Sequence, residues 1–210
     1  MQDRKKIGLY SAILALSVGI LGIYGIQSSN LGEPQVSYEN SEDAHIRGHV
    51  TLWVTNTDGR ITEYRQSDNI VVNQGADCAI KALFAPTTGL ATTCPGTPGI
   101  FNVIALGTGT NGNSRSDTAL AAETSVAGLA RAQVSSVNAT AAPITGTSKV
   151  LLSKTFTNTS GGSVTITEAG IFNSTDKSID GMFAEEPISP SVEVNNNDAL
   201  TVNWTISFAN

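Results

Sequence analysis

The sequence predicts a mainly β protein: a single β-sandwich or jelly-roll-like domain with one or two short helices, preceded by an N-terminal hydrophobic helix. Three observations support this prediction. Short segments of alternating apolar and polar residues recur along the chain, and turns rich in Asn, Ser and Gly separate them. Of the 210 residues, 40% are hydrophobic and only 14% are charged. One long uncharged segment stands near the N-terminus.

The N-terminal segment, residues 1–26, has the form of an export signal. Three basic residues precede an apolar stretch from Ile7 to Ile26 that carries no charge. Such a stretch is also long enough to span a bilayer as one helix. The sequence KKIGLYSAILALSVG resembles the leader of archaeal type IV pilins, although Ile7 separates the basic residues from Gly8. A cleaved signal peptide, a retained membrane anchor and a pilin-type helix all stay open. Each predicts a secreted or cell-surface location.

The next segment, residues 27–46, is predicted to be a polar linker or an extended arm. It contains Pro34 and no sustained apolar period. One short alternating stretch within it is the candidate for an added strand: Gln35, Val36, Ser37 and Tyr38. The β-rich domain is then expected to cover residues 47–210.

The first half of that domain is predicted to contain a hairpin, a further strand and a helix. Val50, Leu52 and Val54 share one face of the first strand. An Asp-Gly turn at Gly59 then leads into a second alternating segment, because glycine accepts the positive φ of a tight turn. The predicted elements are strands over 49–55, 60–65 and 69–73, a helix over 75–85 and a loop over 85–99.

The second half is predicted to consist of short strands, of which the last is the clearest. In that strand apolar residues alternate with polar ones, so one face is expected in the core: Leu200, Val202, Trp204, Ile206 and Phe208. The other expected elements are strands over 101–106, 150–156, 164–167, 170–172 and 182–184, with a second short helix or an ordered loop over 117–123.

Cys78 and Cys94 are the only cysteines. An even number of cysteines in an oxidising compartment favours one disulfide between them, and two buried free thiols are the alternative.

Four Asn-x-Ser/Thr sequons predict N-glycosylation, provided that the source cell has the pathway: Asn138, Asn158, Asn173 and Asn203. Asn203 falls on the polar face of the last strand, and Asn158 and Asn173 fall in predicted turns.

The sequence offers little material for catalysis, metal binding or cofactor binding, so no such residue and no cofactor is predicted. His45 and His49 lack a third ligand nearby, and the Asn/Asp turns at 56–58 and 195–198 lack the spacing of a known Ca²⁺ loop. Eighteen acidic against twelve basic residues argue against nucleic-acid binding. Four carboxylates that could mimic a glycosidase pair are interpreted as solvated charges: Asp117, Glu123, Glu185 and Glu186.

Two blocks of sequence carry a resemblance to known proteins. The first is FNVIALGTGTNGNSRSDTALAAE, over residues 101–123, followed by GLAR. The second is TFTNTSGGSVTITEAGIFNS, followed later by MFAEEPISPSVEVNNNDALTVNWTISF. Together they resemble a β-sandwich module of phage and archaeal-virus tail or fibre proteins and of secreted archaeal surface proteins. The chain is also similar to subunits of archaeal extracellular filaments, which polymerise when the N-terminal arm of one subunit adds a strand to the next.

This resemblance implies a non-catalytic structural subunit of an extracellular filament, pilus or cell-surface layer. Its partners would be identical subunits, and the segment Gln35–Tyr38 would lie in the donated strand. The alternative is an adhesin or fibre-like binding domain, anchored in the membrane through residues 7–26, that recognises surface glycans.

Overall fold

The computed structural model describes four segments of the chain, residues 45–84, 100–111, 113–140 and 148–209. They belong to the unit Asp43–Asn210, and the other unit, Met1–Glu42, lies outside the described residues. The predicted hydrophobic helix, the arm residues Gln35–Tyr38 and the predicted loop over 85–99 therefore lie outside them as well.

The described residues form nine strands and one helix, which confirms the prediction of a mainly β protein. In chain order they are β1 (His45–Thr55), β2 (Ile61–Val71), α1 (Asn73–Phe84), β3 (Val103–Gly107), β4 (Ala132–Gln133), β5 (Ser136–Thr140), β6 (Ser148–Thr157), β7 (Val164–Phe172), β8 (Met182–Val194) and β9 (Ala199–Ala209). The helix is too short to cross a membrane, and no described helix qualifies as a membrane span.

All nine strands join one antiparallel sheet in the order β4-β3-β7-β8-β2-β1-β9-β6-β5. The two outermost strands, β4 and β5, follow each other in the chain with only Val134 and Ser135 between them. Val134 N donates a hydrogen bond to Asn102 O at 2.8 Å, and Ser135 N donates to Ser153 O at 2.8 Å. The sheet is therefore curled, because its two ends are tied to one short connection.

The predicted β1–β2 hairpin is confirmed. Asn56 Oδ1 accepts hydrogen bonds from the backbone N–H groups of Asp58, at 3.1 Å, and Arg60, at 2.9 Å. Gly59 has φ of 80°, the left-handed conformation that glycine adopts without strain. The separate strand predicted over 69–73 is wrong, since β2 continues without a break to Val71 and α1 begins two residues later.

One buried apolar cluster draws side chains from most of the sheet. Its members on β9 are Leu200, Val202, Trp204 and Ile206, which confirms the predicted inward face of that strand. Phe208 was expected on the same face but is 44% exposed. It pairs with Ile46 and Ser148, at the end of the sheet, where few neighbours cover its ring.

Several predicted strands of the second half differ in length from the observed ones. β7 is one strand where two were predicted, and β8 runs ten residues beyond the predicted end at Ala184. β4 and β5 were not predicted, and the segment 117–123 is an ordered loop with turns, not a helix. These differences have a common cause. Polar residues and prolines inside the strands interrupt the alternation of apolar and polar residues from which the strands were predicted.

Candidate functional site

Glu168, in the middle of β7, places its carboxylate against three backbone amides. Oε1 accepts hydrogen bonds from Gly109 N, at 2.9 Å, and Ala122 N, at 2.7 Å, and Oε2 accepts one from Ala121 N at 2.9 Å. The residue is only 6% exposed. These donors compensate for the loss of water around the charge, because each is a charge-assisted hydrogen bond. Glu168 therefore ties β7 to both ends of the loop that follows β3.

The glycines of the ALGTGT segment make room for this carboxylate. A Cβ on Gly107 would lie 2.3 Å from Glu168 Oε1, and a Cβ on Gly109 would lie 2.5 Å from it. Both distances are shorter than real Cβ contacts allow. The two blocks that carry the resemblance therefore meet in space here, and the residues that meet are a structural clamp.

A second buried charge cluster surrounds Arg131, whose side chain is 4% exposed. Its Nε donates to Glu123 Oε1 at 3.0 Å and its Nη2 to Glu123 Oε2 at 2.5 Å. Nη1 donates to the Asp180 carboxylate and to Ser174 O, and the guanidinium lies 4.0 Å from the centre of the Phe172 ring. The prediction of Glu123 as a solvated charge is therefore wrong, since its side chain is 10% exposed and paired.

A pocket of about 280 Å³, which we name the acidic pocket, lies beside the Glu168 clamp. Four carboxylates line it: Asp117, Glu168, Glu185 and Glu186. Glu185 and Glu186 are 5% and 6% exposed, so the prediction that they are solvated is wrong. The reason is that β8 continues past Ala184 and carries both residues into the sheet.

Glu185 is the residue of the acidic pocket whose protonation is most altered. The pKa of Glu185 is raised to about 7, first by burial and then by a hydrogen bond with the Asp117 carboxyl, while a hydrogen bond from Ser114 N opposes the shift. The negative charges of Asp117 and Glu168 add to the increase. Near neutral pH, Glu185 is therefore divided between its protonated and its charged form, and it can share a proton with Asp117.

Glu186 follows Glu185 in β8, and the groups that act on its carboxyl lie in β1 and β2. Burial raises the pKa of Glu186, a hydrogen bond from Ser67 lowers it, and the nearby charges of Asp68 and His49 act in opposite directions. His49 Nδ1 lies 2.9 Å from Asp68 Oδ1. His49 thus has a carboxylate partner, and the described residues contain no group of three or more His, Cys, Asp and Glu that could hold a metal ion.

Beyond the acidic pocket, β2 and β8 separate. They pair at only two positions, Ile70 with Glu185 and Val71 with Ala184. From there the two strands have no ladder between them in the described chain. Pro187 has no N–H to donate, and the same holds for Pro190. We name this gap, between residues 61–69 of β2 and 186–194 of β8, the open seam.

Two side-chain contacts cross the open seam, the hydrogen bond of Ser67 with Glu186 and the contacts of Arg65. Arg65 Nε donates to Pro190 O at 2.9 Å, and its Nη2 lies 2.7 Å from Glu63 Oε2 and 3.4 Å from Ser191 O. The Arg65 side chain thus joins β2 and β8 where no backbone hydrogen bonds pair the two strands. The seam is a pair of facing strand edges joined by side-chain contacts and not by a backbone ladder.

The predicted disulfide has one cysteine among the described residues. Cys78, in α1, is 1% exposed and disulfide-bonded. Cys94 lies outside the described residues, as do the predicted assembly residues, Gln35, Val36, Ser37 and Tyr38. The pairing of Cys78 with Cys94 and the role of the arm therefore stay predictions.

The four sequon asparagines differ widely in access. Asn138 is exposed on β5. Asn173 accepts a hydrogen bond from Gly181 N at 2.7 Å, and Asn203 lies half-buried on β9. Asn158 is fully buried, and its Nδ2 donates at 2.7 Å to both Gly162 O and Val194 O. A glycan on Asn158 would replace one of the two N–H groups that make these bonds and would need room at a buried site, whereas Asn138 can accept a glycan without such a loss.

The Asn/Asp turns considered for Ca²⁺ use their polar side chains within the turns. Asn56 Oδ1 accepts two backbone hydrogen bonds, and Asn195 Nδ2 donates to Asp198 Oδ2 at 3.2 Å. The alternation of the sequence gave no sign of the acidic pocket. One signal was present, however: Glu168 lies inside the apolar run of β7, and a lone acid in such a run indicates a buried, partnered charge.

The geometry thus offers two features with functional potential, a carboxyl pair that can share a proton and a pair of strand edges that can accept a further strand. Comparison of the chain with models of protein families, with curated proteins and with solved structures found no match.

Proposed function

We propose that the protein is a non-catalytic structural subunit of an extracellular filament, pilus or cell-surface layer, and that the N-terminal arm of one subunit adds a strand to the next. The observation that carries this proposal is the open seam between β2 and β8. A strand edge presents N–H and C=O groups that an added strand can pair with, and such pairing is a known mode of association between chains.

The dimensions of the seam support an added strand. Nine residues of β2, 61–69, extend for about 30 Å at the rise of a β-strand. Of the predicted arm, residues 27–44 precede β1, and they outnumber the nine residues of the seam, so the arm can reach beyond its own domain. Such a contact is head-to-tail and does not close on itself, so its repetition gives a filament.

The chemistry of the seam favours a strand held through its backbone. On the inner side of β2, Glu63, Arg65 and Ser67 are partly buried and polar. A donor needs a polar face towards these residues, and in the arm Gln35 and Ser37 alternate with Val36 and Tyr38. Backbone hydrogen bonds would therefore supply most of the affinity, and the apolar side chains would lie on the opposite face.

The finer fold that goes with this function is a β-sandwich or jelly roll, preceded by a hydrophobic helix. It is supported by the larger of two buried apolar clusters, to which β1 and β9 contribute on one part of the curled sheet and β7 and β8 on the other. Residues 7–26 would deliver the domain across the membrane, as a signal peptide, an anchor or a pilin-type helix, to a secreted or cell-surface location.

The experiment that tests the proposal is electron microscopy of surface material from cells that express the full chain. Filaments built of this protein are expected. Ser37→Pro, which removes a backbone N–H from the middle of the donor strand, should abolish them. The matched control is Ser29→Pro, outside the alternating stretch. Absence of filaments from the unaltered protein, or filaments of Ser37→Pro as abundant as those of Ser29→Pro, would contradict strand donation by this segment.

A second candidate is an adhesin or fibre-like binding domain, anchored through residues 7–26, that recognises surface glycans. The acidic pocket favours it, because buried carboxylates around a cavity can orient hydroxyl groups. A monomeric protein that binds glycans, and loses that binding with Asp117→Asn, would favour this candidate over the polymer.

A further inference from the structure

A second cavity, of about 490 Å³, lies where β1 begins and β2 ends, and we name it the basic pocket. Its charged lining comes from four separate parts of the chain: Arg47 and His49 of β1, Asp68 of β2, Arg115 of the loop after β3, and Lys149 of β6. Its volume falls in the range of pockets that bind small molecules, which is about 300 to 1,000 Å³.

The charge of the basic pocket is opposite to that of the protein. The chain carries a formal net charge of -6, yet Arg47, Arg115 and Lys149 meet in this cavity. None of the three takes part in an ion pair with a described residue. The one carboxylate in the lining, Asp68, is bound to His49. Three cations without a carboxylate partner in the described chain attract an anion.

We propose that the basic pocket binds a small ligand that carries an oxyanion, a carboxylate such as that of a sugar acid or an inorganic anion. Arg47, Arg115 and Lys149 would neutralise the charge and donate hydrogen bonds to the oxygens of the ligand. Ile46 and Ile70, which also line the cavity, offer an apolar wall to the non-polar face of a sugar ring. This site is separate from the open seam and does not depend on filament assembly.

The test is calorimetric titration of the full-length protein with glucuronate, glucose, inorganic phosphate and sulfate. Binding of at least one anion is expected, together with no detectable binding of neutral glucose and a loss of affinity as salt is added. Tighter binding of glucuronate assigns the site to a sugar acid, and tighter binding of phosphate or sulfate assigns it to an inorganic anion. No anion binding above that of glucose would overturn the proposal.

Two variants locate the site and one controls for charge. Arg115→Gln and Lys149→Gln should each weaken anion binding about tenfold, because each removes a charge-assisted hydrogen bond. Arg60→Gln removes an exposed cation from the β1–β2 turn and should leave the affinity unchanged. An equal loss in all three variants would mean that general charge attracts the anion, and it would overturn the assignment to this pocket.

Discussion

β1 and β2 are the two strands of one hairpin, yet their inner faces differ in kind. On β1 the inward residues are apolar and buried, and they join the central cluster. The residues paired with them on β2 are polar: Val50 lies opposite Ser67, Leu52 opposite Arg65, and Val54 opposite Glu63. The apolar inner face is therefore interrupted at β2, and β7 and β8 on its other side contribute again to the same cluster. The polar residues of β2, the acidic pocket and the Arg131 cluster form a polar part, in which each charged group depends on specific partners.

The difference teaches where single side chains matter most. In the apolar part, stability is shared among many contacts, and each residue can be replaced by another of similar volume at modest cost. In the polar part, each group depends on one or two partners, and removal of one partner leaves the other buried without compensation. The following predictions test this contrast, beginning with the largest expected effect.

Arg131→Ala should cause the largest loss of stability in the polar part. It leaves the carboxylates of Glu123 and Asp180 with 10% and 14% exposure and without their guanidinium partner. Breaking a buried ion pair on one side costs about 3 to 5 kcal/mol. Urea unfolding of both proteins measures the difference. The control, Arg60→Ala in the exposed turn, should change the free energy of unfolding by less than about 0.5 kcal/mol. Equal losses of stability in Arg131→Ala and Arg60→Ala would contradict the contrast between the apolar and the polar part.

Glu168→Gln should cost about 2 kcal/mol, because it removes the charge from hydrogen bonds with three backbone amides and brings an amide N–H₂ against an N–H donor. The loop over 107–123 should also lose protection against hydrogen exchange. Glu193→Gln, at an exposed position on β8, is the matched control and should leave stability nearly unchanged. Retention of full loop protection in Glu168→Gln would show that the backbone alone holds the loop.

The sequence predicts the apolar part of this fold better than the polar part, for a physical reason. Alternation arises when one face of a strand is buried against apolar neighbours, and it correctly gave β1, the hairpin turn and the inward face of β9. It failed for β8, where Glu185, Glu186 and Pro187 interrupt the apolar pattern while the strand continues. A strand that borders a polar cavity has no reason to alternate in the same way.

The candidate site was beyond prediction because its contacts are distant in sequence. Glu168 meets Gly109 across 59 residues and Ala122 across 46 residues. Gly107 is needed because a carboxylate lies where its Cβ would be, and this requirement cannot be read from the neighbouring residues. Only the position of a lone acid inside β7 could have indicated a buried charge, and nothing local could have named its partners.

The next prediction concerns the pH dependence of stability. Glu185 has a pKa of about 7 in the folded protein, above the value of 4.5 of an ordinary glutamate. The fold thus favours the protonated form. The resulting stability is fully present below about pH 4.5 and is lost as the pH rises through about 7, by an amount on the order of 2 kcal/mol. Glu185→Gln imitates the protonated form and should lack this loss.

Urea unfolding at several pH values between about 4.5 and 8 measures the pH dependence of both proteins, and the difference between their profiles isolates Glu185 from the other carboxylates. Glu193→Gln should keep the profile of the unaltered protein. If the profiles of Glu185→Gln and the unaltered protein run parallel, burial does not hold this carboxyl protonated, and the polar part of the molecule tolerates a charge there.

The smallest expected loss of stability is that of Arg65→Gln, which tests whether β2 borders the apolar part of the molecule. The Arg65 side chain is 27% exposed, so its ion pair with Glu63 and its hydrogen bonds across the open seam together contribute about 1 kcal/mol. The substitution should affect the local opening of residues 61–69 more than the global unfolding of the protein. Hydrogen exchange is expected to speed up in residues 61–69 and not in β1 or β9, because only the seam loses a crossing contact. Lys154→Gln, on β6, removes a cation without touching the seam and should leave exchange unchanged. If Arg65→Gln accelerates exchange equally in β1 and β2, the hairpin opens as a whole, and β2 is then part of the apolar unit and not its boundary.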